Sequence, residues 1–263
     1  MNIQMSMVTK VDNSCKAALI TGGAKRLGAF VAKHLVRQGY GGIAIHCNAS
    51  KTEAKELEAS LKAINPSVDT KIYTGNLTDA KFASGLITEV AKQFSGLSLV
   101  INNASVFTKS SCKDFNIDDF DTCINLHVKS PCIITKSFYH LISQSHLLQN
   151  LNPSVVNIID ANFKRAKTMY FNYLLSKKML FEASRQMSVE LAPLLRVNCV
   201  MPGYIMAADS EEPSYLARLE TQIPLKRKGD AQDIADAISY LSSSTYLTGQ
   251  WISVDGGYHL VNE

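Results

Sequence analysis

Seven short apolar runs, at residues 16–21, 42–46, 70–74, 97–101, 154–159, 196–201 and 251–254, punctuate this chain. Between them lie segments of helical period: 26–38, 51–63, 79–94, one or two helices within 118–143, then 170–192 and 231–242. Short runs that are largely apolar imply strands of a sheet covered on both faces. Strand–helix alternation demands parallel pairing through right-handed crossovers, which gives an α/β fold with a doubly wound sheet. The first helical segment shows the spacing well, with Leu27, Phe30, Val31 and Leu35 on one face. No internal repeat or linker divides the 263 residues, so one domain spanning 1–263 is expected. Residues 1–14 are expected to be a loose extension. Residues 204–224, polar and carrying Pro213, break the alternation and are expected to form a lid.

Charge and cysteine usage exclude several function classes. The net charge is +4, and the only basic cluster, Lys226-Arg227-Lys228 beside Asp230, is too short for much counterion release, so no nucleic-acid partner is expected. No apolar run reaches the roughly 18–20 residues that span a bilayer, so no membrane association is expected. The six cysteines are scattered without a CxxC pair, and no His cluster has zinc spacing. Free thiols in a reducing, cytoplasmic setting and no metal are the expectation.

Residues 21–28 read TGGAKRLG between the first strand and the first helix. Gly22 and Gly23 permit a tight turn, Gly28 permits close helix–strand packing, and the helix N-terminus offers N–H groups to a pyrophosphate. Many strand–helix corners are glycine-rich, so the turn alone does not settle a nucleotide site. The second strand runs out into His46-Cys47-Asn48-Ala49-Ser50-Lys51 without the acid that binds a ribose 2′-hydroxyl, which favours NADPH over NADH. Asn48, Ser50 and Lys51 could donate to a 2′-phosphate with Arg26 nearby; the stretch could also be a plain polar loop.

Further chemistry clusters after later strands: Asn102-Asn103-Ala104-Ser105 after the fourth, Asp160 after the fifth, and Tyr173 with Lys177 one helical turn apart in the next helix. An ammonium beside a phenol lowers its pKa, and Lys177 could do this for Tyr173. Tyr170, whose i+4 partner is Leu174, lacks such a cation. The alternative for Asp160 is a helix or loop cap.

Together, TGGAKRLG, the NNAS after the fourth strand, Asn125, the Tyr173/Lys177 pair, Pro202-Gly203 and the terminal VDGGY resemble the short-chain dehydrogenase/reductase family over nearly the whole chain. The resemblance implies a Rossmann-type, seven-stranded parallel sheet, a nicotinamide cofactor and a homodimer or homotetramer. It implies a catalytic set of Asp160, Tyr173, Lys177 and Asn125, the last anchoring a water that links Lys177 to solvent. It extends the cofactor site to Gly22, Lys25, Arg26, Leu27, Asn48, Ser50, Asn76, Leu77, Asn103, Ala104, Ser105, Ile158, Tyr173, Lys177, Pro202 and Gly203.

Arg26 and Asp160 stand where most of that family has Gly and Ser. With Phe107 and the thirteen-residue step from Asp160 to Tyr173, they make the chain similar to pteridine reductases, including the dihydromonapterin reductases. That implies an NADPH-dependent reductase of dihydropterin-type substrates, with Arg26, Ser105, Phe107, Asp160, Tyr170, Tyr173 and Tyr204 around the pterin. Phe107 would stack one face while the nicotinamide covers the other. A carboxyl beside Tyr173 suits protonation of a ring nitrogen, and the three groups should titrate as a coupled set in which Lys177 offsets Asp160. Two alternatives remain: a ketone or 3-oxoacyl thioester reductase of the same family, and a non-catalytic nucleotide-binding protein.

Overall fold

The computed structural model describes residues 13–164, 168–206 and 213–261. All seven expected strands are present: β1 (Ala17–Ile20), β2 (Gly42–Cys47), β3 (Asp69–Thr74), β4 (Leu97–Asn102), β5 (Ser154–Ile158), β6 (Arg196–Pro202) and β7 (Trp251–Val254). They form one parallel sheet in the order β3-β2-β1-β4-β5-β6-β7. Strands β1, β2, β4 and β5 are buried along their whole length, as continuous apolar runs require.

Helices cover both faces. Helices α1 (Arg26–Arg37), α2 (Lys51–Ile64) and α9 (Ala231–Ser243) close one face, burying Val31, Leu35, Leu57, Leu61, Ile234 and Ile238 against Ile20, Ile45 and Ile101. Helices α3 (Ala80–Gln93), α5 (Ser130–Ser143) and α6 (His146–Asn150) close the other, burying Leu86, Ile87, Ile134, Phe138 and Leu148 against Leu19, Val100 and Val155. Asp79 and Asp230 cap α3 and α9 by accepting from backbone N–H groups of the first turn.

Sequence periodicity locates the strands and the periodic helices to within a residue or two and misses four features. The stretch read as one or two helices is α4 (Ile117–Ile124), a π-turn (Asn125–Lys129) and α5. The short α6 follows with no periodic signal of its own. Asn13 and Ser14 are not loose: they open a turn in which the Asn13 amide donates to Gln38 O (2.9 Å) and Asn13 O accepts from Lys16 N (2.9 Å). Residues 1–12 lie outside the described residues. Within the expected lid, Pro213–Gln222 forms helix α8, with Pro213 at its first position, where a missing N–H costs nothing; 207–212 fall outside the described residues. The Lys226–Lys228 cluster folds back on its surroundings, Lys226 Nζ donating to Thr221 O (2.7 Å) and Arg227 pairing with Asp233 (3.5 Å). No described helix is long and apolar enough to cross a membrane.

The strand order decides where a site can form. The chain runs from β1 outward to β3, then returns to the other side of β1 for β4. The crossovers after β1 and β4 therefore leave in opposite directions, and a crevice opens beyond the C-terminal ends of these two strands. Phe138 is fully buried in the α3/α5 face of the core. Replacing it with Ala should cost about 3–5 kcal/mol of stability by cavity formation, read as a drop in the denaturant midpoint at constant slope; a loss under about 1 kcal/mol would mean this face is loosely packed.

Candidate active site

The crevice is a cleft of about 420 Å³ at the switch point. It brings together Gly22, Lys25, Asn48, Ser50, Asn76, Leu77, Ala104 and Ser105 from the expected cofactor set, with His46, Thr78, Val106 and Leu126. Gly22 has φ +60°, and a Cβ there would lie 2.9 Å from the Ala104 Cα, so the turn after β1 and the loop after β4 touch backbone to backbone. A Cβ on Gly28 would lie 2.8 Å from the Gly23 Cα, which is why α1 can start so close to the turn.

Polar side chains lock this turn. Thr21 Oγ1 accepts from Asn103 N (3.0 Å) and Ala104 N (3.1 Å). The Asn103 amide donates to Thr21 O and Gly22 O, both at 3.0 Å. Asn103, assigned above to the cofactor, thus has its amide engaged in bracing the glycine turn. His46 Nδ1 accepts from Gly22 N (3.2 Å), and its Nε2–H donates to Gly75 O (3.0 Å). Burial pushes His46 down to about 4, so it is neutral with its proton on Nε2. Ser50 precedes α2 but makes no side-chain cap, leaving its hydroxyl to the cleft.

The other expected cofactor residues lie outside the cleft lining. Arg26 (φ 52°) and Leu27 are the first residues of α1. Ile158 ends β5, and Pro202 ends β6. Gly203 donates its N–H to Val254 O (2.9 Å), and a Cβ there would run into Asp255.

Asp160, Tyr173 and Lys177 do converge. The Tyr173 hydroxyl donates to Asp160 Oδ2 at 3.0 Å. Asp160 Oδ1 accepts from the backbone and side-chain nitrogens of Asn162 at 2.7 and 2.8 Å, so this residue both caps a loop and meets the phenol. Lys177, 2% exposed, donates from Nζ to Ile158 O at 2.8 Å. Both Tyr173 and Lys177 belong to α7 (Phe171–Glu190), whose buried face is largely polar: Asn172, Ser176, Ser184 and Ser188 are all buried.

One expectation fails here. Lys177 does not lower the Tyr173 pKa. Burial, then the charge of Asp160 and the hydrogen bond to it, hold the phenol well above its usual 10. The ammonium donates to the Ile158 carbonyl, with Nζ 5.8 Å from the Tyr173 ring centre. Burial pushes Lys177 itself down to about 8, against the opposing pull of Asp160. At neutral pH the site therefore holds a protonated phenol and an ammonium.

Phe107 is 53% exposed and stacks on Tyr170 (4.6 Å between centroids, 17° between planes), with an edge contact to Tyr173 (4.8 Å, 89°). One of its faces is therefore already occupied by Tyr170, which the sequence reading placed only as a wall. Tyr204 is half-buried and its carbonyl accepts from Gly229 N (3.0 Å). Asn125 opens the π-turn, its carbonyl accepting from Ser130 N. Such turns recur at functional sites.

His127 escapes the sequence reading altogether. It lies on the π-turn, 1% exposed, with its ring edge-on to Tyr173 (5.7 Å, 90°). Nε2 accepts from Val106 N (3.0 Å) and faces the Ser105 hydroxyl (3.1 Å); Nδ1 faces Ser176 Oγ (2.8 Å). Burial and the Lys177 charge push it down to about 2. A usable signal for His46 is its place in an otherwise apolar strand, where a buried polar ring must find partners.

Both imidazoles are neutral when folded, but the unfolded chain protonates them near 6.5. The unfolded state thus binds more protons below that value, and stability falls as pH drops from about 6.5 toward about 4, with His127 still contributing below that. Denaturant titrations across this window should show the slope; a flat profile would contradict the buried neutral assignment.

A profile of the enoyl-(acyl carrier protein) reductase family matches residues 22–259. The 3-oxoacyl-acyl-carrier-protein reductase of Staphylococcus aureus is 31% identical, over 93% of this chain and 98% of its own length. Pteridine reductase 1 of Leishmania tarentolae is 28% identical, over 92% and 96%. The crystal structure of FolM alternative dihydrofolate reductase 1 from Brucella canis, complexed with NADP, superposes with a TM-score of 0.87 at 27% identity, covering 96% of this chain and 97% of that one. With its parallel sheet, glycine turn and Tyr173/Lys177 pair, the chain belongs to the short-chain dehydrogenase/reductase family of oxidoreductases.

Proposed function

We propose that this protein is an NADPH-dependent reductase of dihydropterin-type substrates, and the observation that carries the reading is the 3.0 Å hydrogen bond from Tyr173 to Asp160. The cleft suits a dinucleotide: Gly22 lines it with no side chain, just ahead of the N-terminus of α1, and the Ser50 hydroxyl is uncommitted to capping. Gly22, Lys25, Asn48 and Ser50 would hold the phosphates, and Asn76 and Leu77 the base. The absence of an acid after β2 favours the 2′-phosphorylated form. When bound, NADPH supplies the hydride.

The chain's own residues supply the proton and the geometry. Reduction of a ring C=N bond needs a proton at nitrogen. Tyr173 keeps its proton at neutral pH because burial and Asp160 oppose its ionisation. Within hydrogen-bond reach of a ring nitrogen, Tyr173 delivers that proton directly or through Asp160 Oδ2. Lys177, still cationic at neutral pH, offsets the negative charge left on the Tyr173–Asp160 pair. Phe107, backed by Tyr170, offers its exposed surface to a flat heterocycle. Such positioning against the proton donor supplies much of the rate.

The Staphylococcus aureus relative, at 31% identity, favours a second reading, reduction of a 3-oxoacyl thioester. Asp160 speaks against it, since a carboxylate at this position repels the oxyanion that a ketone carbonyl develops. NADPH oxidation assayed with a dihydropterin and with a 3-oxoacyl thioester separates the two. Turnover of the dihydropterin is expected, and exclusive turnover of the thioester would overturn the proposal. Tyr173→Phe should lower kcat by about 10²–10⁴-fold and leave NADPH affinity unchanged; retention of wild-type kcat would remove Tyr173 from its role.

A further inference from the structure

Three anchors pin the loop between β4 and α4. Thr21 holds its start at Asn103 and Ala104. Ser110 holds its middle to the start of α7, accepting from Phe171 N (3.2 Å) at its carbonyl and from Asn172 N (3.0 Å) at its hydroxyl. Between these, the span carrying Ser105, Val106 and Phe107 has, beside the ring contacts of Phe107 with Tyr170 and Tyr173, one further hydrogen-bonding side-chain anchor among the described residues, His127.

The tautomer of His127 follows from its partners. Val106 N–H can only donate, so Nε2 must be the unprotonated acceptor and Nδ1 carries the hydrogen. Nδ1–H then donates to Ser176 Oγ, whose own hydroxyl donates to Tyr173 O at 2.7 Å. A continuous relay thus runs from the loop, through one buried imidazole, to the backbone of the residue that holds the proton. The same ring packs edge-on against Tyr173, which in turn meets Phe107 edge-on.

We propose that His127 is a positioning residue for the substrate: it sets the 105–107 span, and with it Phe107, at a fixed distance from Tyr173. The proposal rests on the reading of Phe107 as the substrate-facing ring. His127 touches no reacting atom; it acts through Val106 on one side and Ser176 on the other. Thr21 holds Asn103 and Ala104 independently, whereas Ser105 and Val106 line the dinucleotide cleft as well, so loosening His127 should weaken substrate binding strongly and NADPH binding less.

Two side chains separate the halves of the imidazole. In His127→Asn the amide can reproduce the donor toward Ser176 but withdraws the acceptor from Val106. In His127→Gln the longer side chain can return an acceptor to Val106. Steady-state kinetics with a dihydropterin should show KM raised about tenfold in His127→Asn, the loss of one buried hydrogen bond, with kcat changed less. KM should return toward wild type in His127→Gln, and Kd for NADPH, followed by its fluorescence, should stay within about twofold in both. Wild-type KM in His127→Asn, equal losses in both variants, or an NADPH Kd that shifts as much as KM would overturn the proposal. Should His127→Asn not fold, Ser176→Ala cuts the relay on its other side: raised KM supports the role and wild-type KM refutes it. If the wild-type protein turns over a 3-oxoacyl thioester and no dihydropterin, the pterin reading fails alone, and the same variants are read on the thioester KM with the same split expected.

Discussion

The hydrogen bond between the Tyr173 hydroxyl and Asp160 Oδ2 joins two elements that the fold brings together only at the sheet's C-terminal edge. Asp160 lies just past the end of β5, and Tyr173 lies on the helix that returns to β6. With one partner buried on α7 and the other tied by Asn162, the pair has little freedom. Its consequence is electrostatic. A phenol that donates to a carboxylate in a buried setting is held in its protonated form. Lys177 stands behind the pair, bonded to Ile158 O, and balances charge without taking the phenol's proton.

The dinucleotide half of the cleft obeys the same economy of rigid contacts. Gly22 and Ala104 meet backbone to backbone because β1 and β4 are paired neighbours, so the turn and the loop that follow them start side by side. Thr21, Asn103 and His46 then satisfy the polar groups that such a close approach would otherwise strand, each unmade bond costing about 1–3 kcal/mol. The cleft is therefore preformed by protein–protein bonds, and a ligand need not order it.

The alternating pattern makes the fold class legible: largely apolar strands need cover on both faces, and the helices between them need parallel pairing; the strand order β3-β2-β1-β4-β5-β6-β7 is set by tertiary packing that no local pattern announces. The Tyr173/Lys177 pair and Asp160 are legible from spacing and position. The direction of the Tyr173 shift is not, because i, i+4 spacing places two side chains on one face without saying where the ammonium points. Here it points at a carbonyl. His46 and His127 are hidden for a related reason: their partners are backbone groups and serines far away in the chain, such as Val106 and Ser176, which no local pattern announces. The π-turn of residues 125–129 is invisible because five residues are too few to show a change of helical period. The stack of Phe107 on Tyr170 requires the loop after β4 to dock on α7 through Ser110, a tertiary contact with no signature in either segment.

The distinction between pterin and ketone chemistry turns on whether Tyr173 is governed by Asp160 or by Lys177. A spectrophotometric pH titration of tyrosinate absorbance, comparing the ligand-free protein with its Tyr173→Phe variant, isolates this one phenol. Their difference spectrum should show no ionisation until the pH rises above 10. A tyrosinate signal at neutral to mildly alkaline pH, lost in Tyr173→Phe, would contradict it and return control of the phenol to the ammonium.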